Sequence, residues 1–486
     1  MGKEILNLEP KNLWKHFYSL TQIPRPSGQE AECIAFIKKF GDDLGLETEV
    51  DETGNLVIRK PATPGMENRK GIILQGHVDM VPQKNSDKEH DFSKDPIDAW
   101  IDGEWVKAKG TTLGADNGIG VASAMAVLEA KNIEHGPIEA LFTIDEETGM
   151  TGAFGLKPGF FKGDILLNLD SEDEGELYIG CAGGINGSFT FSFQKESVPK
   201  SYQAYRIDVK GLKGGHSGLD INLGRGNSNK ILFRFLYHAA GRHGLRISSF
   251  EGGNLRNAIP REAWAIVVVP DDKKEKFMTC FEKNVQKIKN ELSFTEPDFI
   301  MTCSPAGIPE YVMDEKSQKA VINAIYACPN GVIRMSDAMP GLVETSTNLA
   351  IAKTENDKVM VKCLLRSSVD SAKDDLAGMM EALFDLAGAV CEFDGAYPGW
   401  KPNPNSPILK TMKEVYNSKF GKVPEVKAIH AGLECGLIGG VYPNLDMISF
   451  GPTMRHPHSP DEKVNIATVQ KFWDFLVETL KNAPVK

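Results

Sequence analysis

The 486-residue chain contains no long apolar run, no block of lysine and arginine, and no low-complexity tract. Because a membrane-spanning helix needs about 20 mostly apolar residues, we expect no part of this chain to span a membrane. The formal net charge of −11 argues against nucleic acid or an anionic membrane as a main partner. With 41% hydrophobic residues, the composition is that of an ordinary globular protein.

Two further absences bear on where the protein resides. The first residues, "MGKEILNLEPKNLWKHF", contain no apolar stretch of the kind found in secretory signals. The eight cysteines are scattered and form no C-x-x-C motif. In a large chain without a signal, scattered cysteines are typical of reduced thiols. We therefore expect a cytoplasmic protein.

The chain is too long for one ordinary hydrophobic core, so two or more domains are expected. In residues 1–183, helical segments alternate with nearly continuous apolar strands such as "GIILQGHVDMV", which is typical of an α/β domain with a mostly parallel sheet. In residues 184–399, strands such as "AYRIDVKGL" alternate apolar and polar side chains, and "ENDK" marks a hairpin turn. Helix–strand alternation resumes in residues 400–486. The pattern predicts an α/β domain interrupted by an inserted α+β domain.

Histidines and carboxylates follow the apolar strands of the predicted α/β domain. The motifs are "GHVDM" with His77 and Asp79, "LGADNGIG" with Asp116, "IDEETG" with Glu146 and Glu147, "NLDSEDEG" with Asp170, and "RHPHSPDE" with His456 and His458. In open α/β sheets, ligands bind outside the carboxyl ends of the strands, so these clusters are expected to converge there. Histidine and carboxylate ligands without cysteine suit zinc, and also manganese or cobalt.

Taken one at a time, these motifs have simpler interpretations. Asp116 is placed to cap the N-terminus of the helix "NGIGVASAM". "DSEDEG" reads as a solvated acidic turn, an interpretation we adopt for Glu172 and Asp173. "HPH" reads as a proline-rich surface loop. The side chains of His77 and Asp79 leave a strand on the same face, but this pairing alone is a weak signal.

The joint pattern is far more specific, and it resembles the M20 co-catalytic metallopeptidases. The matching segments are "LQGHVDMVPQKN", "TTLGADNGIGVA", "TIDEETGMTGA", "NLDSEDEGEL", "GCAGG", "GLKGGHSG" and "RHPHSPDE". Within that family the chain looks like the aminoacyl-histidine dipeptidase branch, also described as Xaa-His or cytosol non-specific dipeptidases. The resemblance extends over essentially the whole chain. It implies a zinc-peptidase catalytic domain, interrupted by a lid domain that also forms a homodimer.

The resemblance also implies two zinc ions per subunit, for which manganese or cobalt could substitute. One metal site would use His77, Asp116 and Asp170, and the other Asp116, Glu147 and His458, so that Asp116 bridges the two. A hydroxide between the metals would be the nucleophile. Such metal pairs lower the pKa of bound water enough to form it near neutral pH.

The adjacent pair Glu146 and Glu147 then has a clear interpretation. Successive side chains point in different directions, so one carboxylate can face a metal while its neighbour faces the nucleophilic water. The resemblance makes Glu147 the ligand and Glu146 the general base, which later donates its proton to the leaving amine. It also makes Asp79 the group that orients the imidazole of His77.

The resemblance assigns three further residues to the lid domain, 184–399. His216 in "GGHSG" would reach the active site of the partner subunit and stabilise the tetrahedral oxyanion. Asn257 in "RNAIP" and Arg366 in "LLRSS" would hold the C-terminal carboxylate of the substrate. A structural histidine in a glycine turn and an exposed salt bridge of Arg366 are the simpler alternatives. The resemblance places the segment "IHAGLECG" at the border of the pocket with its backbone groups facing the substrate, and it makes neither His430 nor Glu434 a metal ligand.

Within the family, an Asp at position 170 accompanies dipeptidases and aminopeptidases, whereas Glu accompanies carboxypeptidases and deacylases. The expected function is therefore hydrolysis of dipeptides with a free N-terminus, including Xaa-His dipeptides. Another M20 activity, on tripeptides or N-acyl amino acids, is the first alternative. A binding protein that keeps the metal pocket without turnover is the second, although such a protein would have no need of Glu146.

Overall fold

The computed structural model describes residues 2–486, which form two compact units. The first unit contains the residues up to Cys181 together with Pro402–Ala428 and Leu433–Lys486. The second unit contains Ala182–Lys401 and the short segment Ile429–Gly432. The division predicted after residues 183 and 399 differs from these bounds by two residues at each point, and it omits Ile429–Gly432.

Helices and strands are numbered in chain order. Up to Cys181 they are α1 (Lys11–Thr21), α2 (Ala31–Asp43), β1 (Glu47–Val50), β2 (Leu56–Lys60), β3 (Ile72–His77), β4 (Ala99–Asp102), β5 (Trp105–Ala108), α3 (Ala115–Glu129), β6 (Ile138–Thr143), α4 (Thr151–Gly155), β7 (Ile165–Asn168) and β8 (Glu176–Cys181). After Lys401 they are α9 (Pro407–Phe420), β22 (Glu425–Ile429), α10 (Glu434–Val441), β23 (Asp446–Ser449), β24 (Met454–Arg455), β25 (Lys463–Asn465) and α11 (Ile466–Lys481).

The elements between these two stretches belong to the second unit. They are β9 (Gly183–Ser192), β10 (Lys195–Glu196), β11 (Tyr202–Lys210), β12 (Gly215–His216), α5 (Ser228–His243), β13 (Arg246–Gly252), β14 (Ala258–Ile259), β15 (Ala263–Pro270), α6 (Lys274–Glu291), β16 (Ile300–Pro305), β17 (Val312–Met313), α7 (Glu315–Ala327), β18 (Gly331–Met335), β19 (Val343–Glu355), β20 (Lys358–Ser367), α8 (Asp370–Leu386) and β21 (Val390–Tyr397).

The first unit is built on an eight-stranded sheet with the order β1-β2-β6-β3-β7-β23-β8-β22. Its centre is parallel, since β3 pairs in parallel with β6 and β7, and β7 pairs in parallel with β23. β3, β6 and β7 are buried along their whole length, as expected for strands covered on both faces. The predicted α/β fold with a mostly parallel central sheet is confirmed.

Helix α3 packs closely against β3 because both carry small residues at the contact. A Cβ atom added to Gly76 of β3 would lie 2.3 Å from Oδ1 of Asn117, so only glycine fits at this position. Most of α3 is buried, in keeping with its run of small and apolar residues. This packing places the start of α3 beside the carboxyl end of β3.

A separate four-stranded sheet of the first unit has the order β24-β25-β5-β4. β24 pairs antiparallel with β25, and the segment that connects them contains His458 and Glu462. The pairing of β25 with β5 fixes one end of this segment. The C-terminal motif "RHPHSPDE" is thus anchored at both ends by strands of this four-stranded sheet.

The second unit is an antiparallel sheet with the order β16-β11-β15-β13-β19-β20-β9-β21, to which β18 adds beside β19. Its core is rich in phenylalanine; the rings of Phe189 and Phe384, for example, stack with centroids 3.9 Å apart. β19 and β20 form the predicted hairpin, in which Glu355 faces Lys358 across the turn. None of the helices in residues 2–486 combines the length and apolar character that crossing a membrane requires.

Candidate metal centre

His77 ends β3 and lies at the centre of a buried cluster of carboxylates. Its Nε2 atom is 3.1 Å from Oδ1 of Asp116 and 3.3 Å from Oδ1 of Asp170. Its Nδ1 atom is 3.2 Å from Oδ1 of Asp79, which leaves the chain on the same side two residues later. Asp170 follows the end of β7, the parallel neighbour of β3, and Asp116 lies at the start of α3.

A second group shares one member with the first. Nε2 of His458 is 3.3 Å from Oδ2 of Asp116 and 2.9 Å from Oε2 of Glu147. Asp116 therefore directs one carboxylate oxygen at His77 and the other at His458. This is the arrangement that a carboxylate bridging two metal ions requires.

The donor atoms of these groups fit divalent cations. His77, Asp116 and Asp170 each offer a ligand atom within 4.8 Å of the others, and so do Asp116, Glu147 and His458. Oε1 of Glu147 is buried and has no hydrogen-bond partner in the part of the chain described, although a buried carboxylate oxygen ordinarily has one. Imidazole nitrogen and carboxylate oxygen are ligands that zinc, manganese and cobalt accept.

The electrostatics of the cluster show an excess of negative charge. Burial lowers the pKa of His77, but Asp170, Asp116 and Asp79 outweigh burial and raise the pKa well above 6.5. Hydrogen bonds to Asp116 and Glu147 raise the pKa of His458 to about 11. The carboxylates around both imidazoles thus favour a positive charge at these two positions.

The acidic side chains respond to the same crowding. Burial, together with Asp116 and Glu147, outweighs the attraction of His77 and raises the pKa of Asp170 to about 6. The pKa of Glu146 lies well above 4.5, mainly because of burial and then because of carboxylates that include Asp170. Burial and neighbouring carboxylates both favour the protonated form of a carboxyl group, and a bound cation would favour the ionised form.

Asp79 fixes the turn that carries the paired glutamates. Its Oδ1 accepts the backbone N–H of Glu146 at 3.1 Å, and its Oδ2 accepts that of Glu147 at 3.2 Å. The hydroxyl of Ser27 donates to Oδ2 at 2.8 Å. Burial would raise the pKa of Asp79, but His77 and these donors lower it to about 2. Asp79 is therefore an ionised acceptor that joins the end of β3 to the Glu146–Glu147 turn.

The remaining predicted residues lie in the second unit. Nδ1 of His216 accepts the N–H groups of Gly218 and Leu219 at 3.2 and 3.1 Å, so the proton of the neutral imidazole is on Nε2. Burial, followed by the nearby positive charge of Arg366, lowers the pKa of His216 below 6.5. Asn257 is exposed, and its backbone carbonyl accepts the backbone N–H of Ser217 at 2.8 Å. The second unit thus supplies a neutral imidazole with a free N–H donor.

Arg366 is 5% exposed, which makes the alternative of an exposed salt bridge wrong. Its guanidinium donates to the hydroxyl of Tyr397 at 3.0 Å and to that of Ser217 at 3.5 Å. No carboxylate of residues 2–486 forms an ion pair with it. Because buried charges are ordinarily paired, this guanidinium is suited to an anionic ligand.

Several functional candidates escape sequence reasoning. Glu172, interpreted above as solvated, is half-buried, and burial followed by Asp116 and Asp170 raises its pKa to about 8, so that interpretation is wrong. Glu434 is buried and accepts from Gln75 of β3 at 2.6 Å and from Thr143, the last residue of β6, at 2.8 Å. His456, in contrast, is exposed and joins neither group of three. Glu172 and Glu434 lie in the motifs "DSEDEG" and "IHAGLECG", but neither motif indicated that the carboxyl group is withdrawn from solvent.

His430 also joins the second unit. It is 6% exposed, and its Nε2 lies 2.7 Å from the hydroxyl of Ser346. Burial, then the charge of Arg366, lowers its pKa to about 3. Sequence reasoning placed "IHAGLECG" at the pocket without a role for this side chain, because burial beside Arg366 is a long-range feature.

Comparison with known proteins agrees with this geometry. Residues 73–482 match the sequence profile of peptidase family M20/M25/M40. The chain is 48% identical over 483 residues to the cytosol non-specific dipeptidase of Escherichia coli, covering 99% of this chain and 100% of that protein. The crystal structure of aminoacylhistidine dipeptidase from Vibrio alginolyticus superposes with a TM-score of 0.96 at 51% identity, over 100% of both chains.

A more distant structure, aminopeptidase PepT from Bacillus cereus, shares the fold with a TM-score of 0.58 at 18% identity. It covers 98% of this chain and 99% of that protein. The family profile spans far more than half of the sequence, and two full-length relatives are about half identical to it. The chain therefore belongs to the peptidase family M20/M25/M40, a family of metal-dependent peptidases.

Proposed function

We propose that this protein is a cytoplasmic dipeptidase that uses two divalent metal ions, zinc in the first instance, to hydrolyse dipeptides with a free N-terminus. The observation that carries the proposal is the sharing of Asp116 between two groups of three ligands. The names of the two relatives, cytosol non-specific dipeptidase and aminoacylhistidine dipeptidase, support the substrate class, including Xaa-His dipeptides. The first of these names also supports the cytoplasmic location.

Five side chains would hold the metals: His77, Asp116, Glu147, Asp170 and His458. Metal ions in such a pair lower the pKa of water and polarise the carbonyl that is attacked. The three carboxylates offset most of the charge of two divalent ions. Carboxylates bind metal ions in their ionised form, and a bound ion would itself favour that form.

Glu146 is proposed as the general base and acid. It belongs to a third group with His77 and Glu147, so its carboxylate lies beside the ligands without being counted in either set. Its raised pKa suits a group that must hold a proton near neutral pH. Glu146 takes a proton from the attacking water and delivers it to the nitrogen of the leaving amine.

Asp79 is proposed to act one step further from the reacting atoms. Through Nδ1 of His77 it sets the orientation of that imidazole, so that Nε2 faces Asp116 and Asp170. Through the amides of Glu146 and Glu147 it sets the direction in which the two carboxylates leave the turn. The carboxylate of Asp79 would thereby position both the candidate ligand His77 and the proposed base Glu146.

The second unit is proposed to be the lid, and to bind the carboxylate of the substrate and the developing oxyanion. The unpaired guanidinium of Arg366 and the amide of Asn257 would hold the C-terminal carboxylate. The Nε2–H of His216 would donate to the oxyanion from the partner subunit of a homodimer. Exposed leucines at positions 219, 223 and 255, in the loops beside His216 and Asn257, support a role of this surface in dimer formation.

Hydrolysis of Ala-His by the purified protein tests the proposal, with the protein assayed as purified, after chelation, and after return of zinc. We expect cleavage that disappears on chelation and returns with zinc. No cleavage in a zinc-loaded protein would contradict the dipeptidase assignment. Tripeptides and N-acyl amino acids would then be assayed for the other M20 activities, and inertness toward these as well would favour a binding protein.

Mixing protomers tests the role of His216 in trans. The His216→Ala and Glu146→Ala variants are each expected to be inactive as homodimers. A heterodimer of the two contains one site with an intact Glu146 and an intact partner His216, so each heterodimer should recover about half the activity of a wild-type dimer. Confirmed heterodimers without recovered activity would contradict the trans arrangement, while a monomeric wild-type protein would contradict the dimer itself.

A further inference from the structure

Two buried charged side chains that the proposed mechanism does not use, Arg25 and Glu462, lie on either side of the segment 113–116. Each is 2% exposed. The segment precedes α3 and ends in Asp116, the residue shared by both candidate metal sites. Because burying an ionised group is costly without compensating hydrogen bonds, the contacts of these two residues need an explanation.

Glu462 accepts every backbone N–H of the segment. Its Oε2 accepts from Leu113 at 2.8 Å and Gly114 at 3.1 Å, and its Oε1 accepts from Ala115 at 2.7 Å and Asp116 at 3.2 Å. The first N–H groups of a helix have no partner within the helix, so a single carboxylate here satisfies four donors. The backbone of Asp116 is thereby fixed before any side-chain ligand acts.

Arg25 binds the same segment through a carbonyl group. Its Nη2 donates to the carbonyl of Gly114 at 2.5 Å, while its Nη1 donates to the carbonyls of Val78 at 2.8 Å and Asp79 at 3.1 Å. Gly114 has a φ of +70°, and a Cβ added there would lie 2.5 Å from Nη2 of Arg25. The guanidinium therefore ties the start of α3 to the residues that follow His77.

We infer that Arg25 and Glu462 are positioning residues that hold Asp116 in register with His77 on one side and His458 on the other. Glu462 follows His458 by four residues in the segment between β24 and β25, so its contacts join that segment to 113–116. Arg25 completes the link to the end of β3. Three ligand-bearing segments are thus connected by two side chains without a metal. The inference rests on the metal centre of the proposed function.

Glu139 offers a matched control for a purely structural role. It is 8% exposed, and it accepts the N–H groups of Lys162 and Gly163 at 2.7 Å each and the Nε–H of Arg59 at 3.1 Å. It is the second residue of β6, whereas the candidate metal ligand His77 ends the parallel neighbouring strand β3, so Glu139 lies toward the opposite end of these strands. Glu139→Gln should weaken the hydrogen bonds that a buried carboxylate accepts, as Glu462→Gln does, but at a position away from the candidate metal ligands.

The test compares Co²⁺ binding by the wild type, Glu462→Gln and Glu139→Gln, measured by competition with a chromophoric chelator and by the visible absorption of bound Co²⁺. Circular dichroism and thermal unfolding establish that each variant is folded. In Glu462→Gln, the amide NH₂ faces backbone N–H groups, so we expect Co²⁺ affinity to fall by about 10- to 100-fold and the absorption bands to shift. Glu462→Asp should recover part of the affinity, and Glu139→Gln should bind Co²⁺ as the wild type does.

A folded Glu462→Gln variant with wild-type Co²⁺ affinity and absorption would overturn the inference, as would an equal loss of affinity in Glu139→Gln. Should Glu462→Gln not fold, Arg25→Lys takes its place, since lysine keeps the charge but cannot span the three carbonyls. The same loss of affinity is then expected, and its absence would overturn the inference. A wild type that binds no Co²⁺ would instead reject the metal centre of the proposed function.

Discussion

The polar sites of the two units differ in the sign of the charge that they leave uncompensated. In the first unit, four carboxylates, those of Asp79, Asp116, Glu147 and Asp170, lie within hydrogen-bond or ion-pair distance of only two imidazoles. In the second unit, Arg366 is buried and forms no ion pair within residues 2–486, and burial and Arg366 favour the neutral forms of His216 and His430. One unit is therefore equipped to receive cations, and the other to receive an anion.

The shifts of histidine pKa values show the same contrast. Carboxylate neighbours raise the pKa values of His77 and His458, so the surroundings of these imidazoles favour a positive charge. Burial and the charge of Arg366 lower the pKa values of His216 and His430, so the surroundings of these imidazoles favour the neutral form. The same residue type thus serves as a potential metal ligand in one unit and as a neutral hydrogen-bonding group in the other.

The largest effect is expected from substitution of Glu146, the proposed general base, which lies in the first unit. Glu146→Gln keeps the shape of the side chain but cannot accept a proton, so kcat for Ala-His should fall by about 10²- to 10⁴-fold. Metal content, measured by elemental analysis, should stay at the wild-type level, whereas Glu147→Gln should lose metal as well as activity. The exposed residue Glu52 provides the control variant Glu52→Gln, with wild-type kcat expected. Retention of more than a tenth of kcat in Glu146→Gln would remove it from the chemistry.

Metal removal should affect the first unit and spare the second. At a free metal concentration 1,000 times its Kd, bound metal contributes about 4 kcal/mol to the free energy of unfolding. After chelation, hydrogen exchange should quicken in the peptides that cover 113–117 and 454–463, and zinc should reverse the change. Peptides covering β19 and β20 should exchange at unchanged rates. Equal acceleration in both sets of peptides would contradict a metal site confined to the first unit.

The anion site of the second unit should discriminate the substrate's C-terminus. Arg366→Gln removes a charged donor worth about 1.5–3 kcal/mol, so kcat/KM for Ala-His should fall by roughly 10- to 100-fold. With Ala-His amide, which lacks the carboxylate, wild type and variant should differ little. Arg334→Gln, at a half-exposed arginine of the same unit, is the control. An equal loss with both substrates would mean that Arg366 supports the fold and not the carboxylate.

The smallest effect is expected on pH-dependent stability. The pKa of His430 is about 3 in the folded protein, compared with 6.5 when unperturbed, so between these pH values the unfolded state binds more protons. Stability should therefore rise with pH over that window, by at most about 1.4 kcal/mol per pH unit from this residue. His430→Gln keeps a partner for Ser346 but does not titrate. Urea unfolding from about pH 5 upward should give a flatter dependence for the variant, and parallel curves would contradict the contribution of His430.

Parts of the fold and of the candidate site follow from local patterns. The apolar run before His77 predicts a buried parallel strand, and Glu355 and Lys358 face each other where "ENDK" predicts a turn. Glu172 and Arg366 show where such reasoning fails. An acidic turn and a lone arginine are ordinarily solvated, but Glu172 is half-buried near Asp116, and Arg366 is buried beside Ser217 and Tyr397. The pairing of Ser346 with His430, 84 residues apart, is likewise invisible to any local pattern.

The alternation of strands and helices, the chemical type of the candidate ligands and the family can all be predicted from the sequence, because periodicity and motif chemistry are local properties of the chain. Three features depend on the folded structure: Asp116 faces two histidines, Arg366 has no ion pair among the described residues, and Glu462 accepts the amides of 113–116 from almost 350 residues away. Burial and hydrogen bonding of a charged side chain depend on what packs around it. That environment is assembled from distant segments, which the residue's own sequence neighbours do not specify.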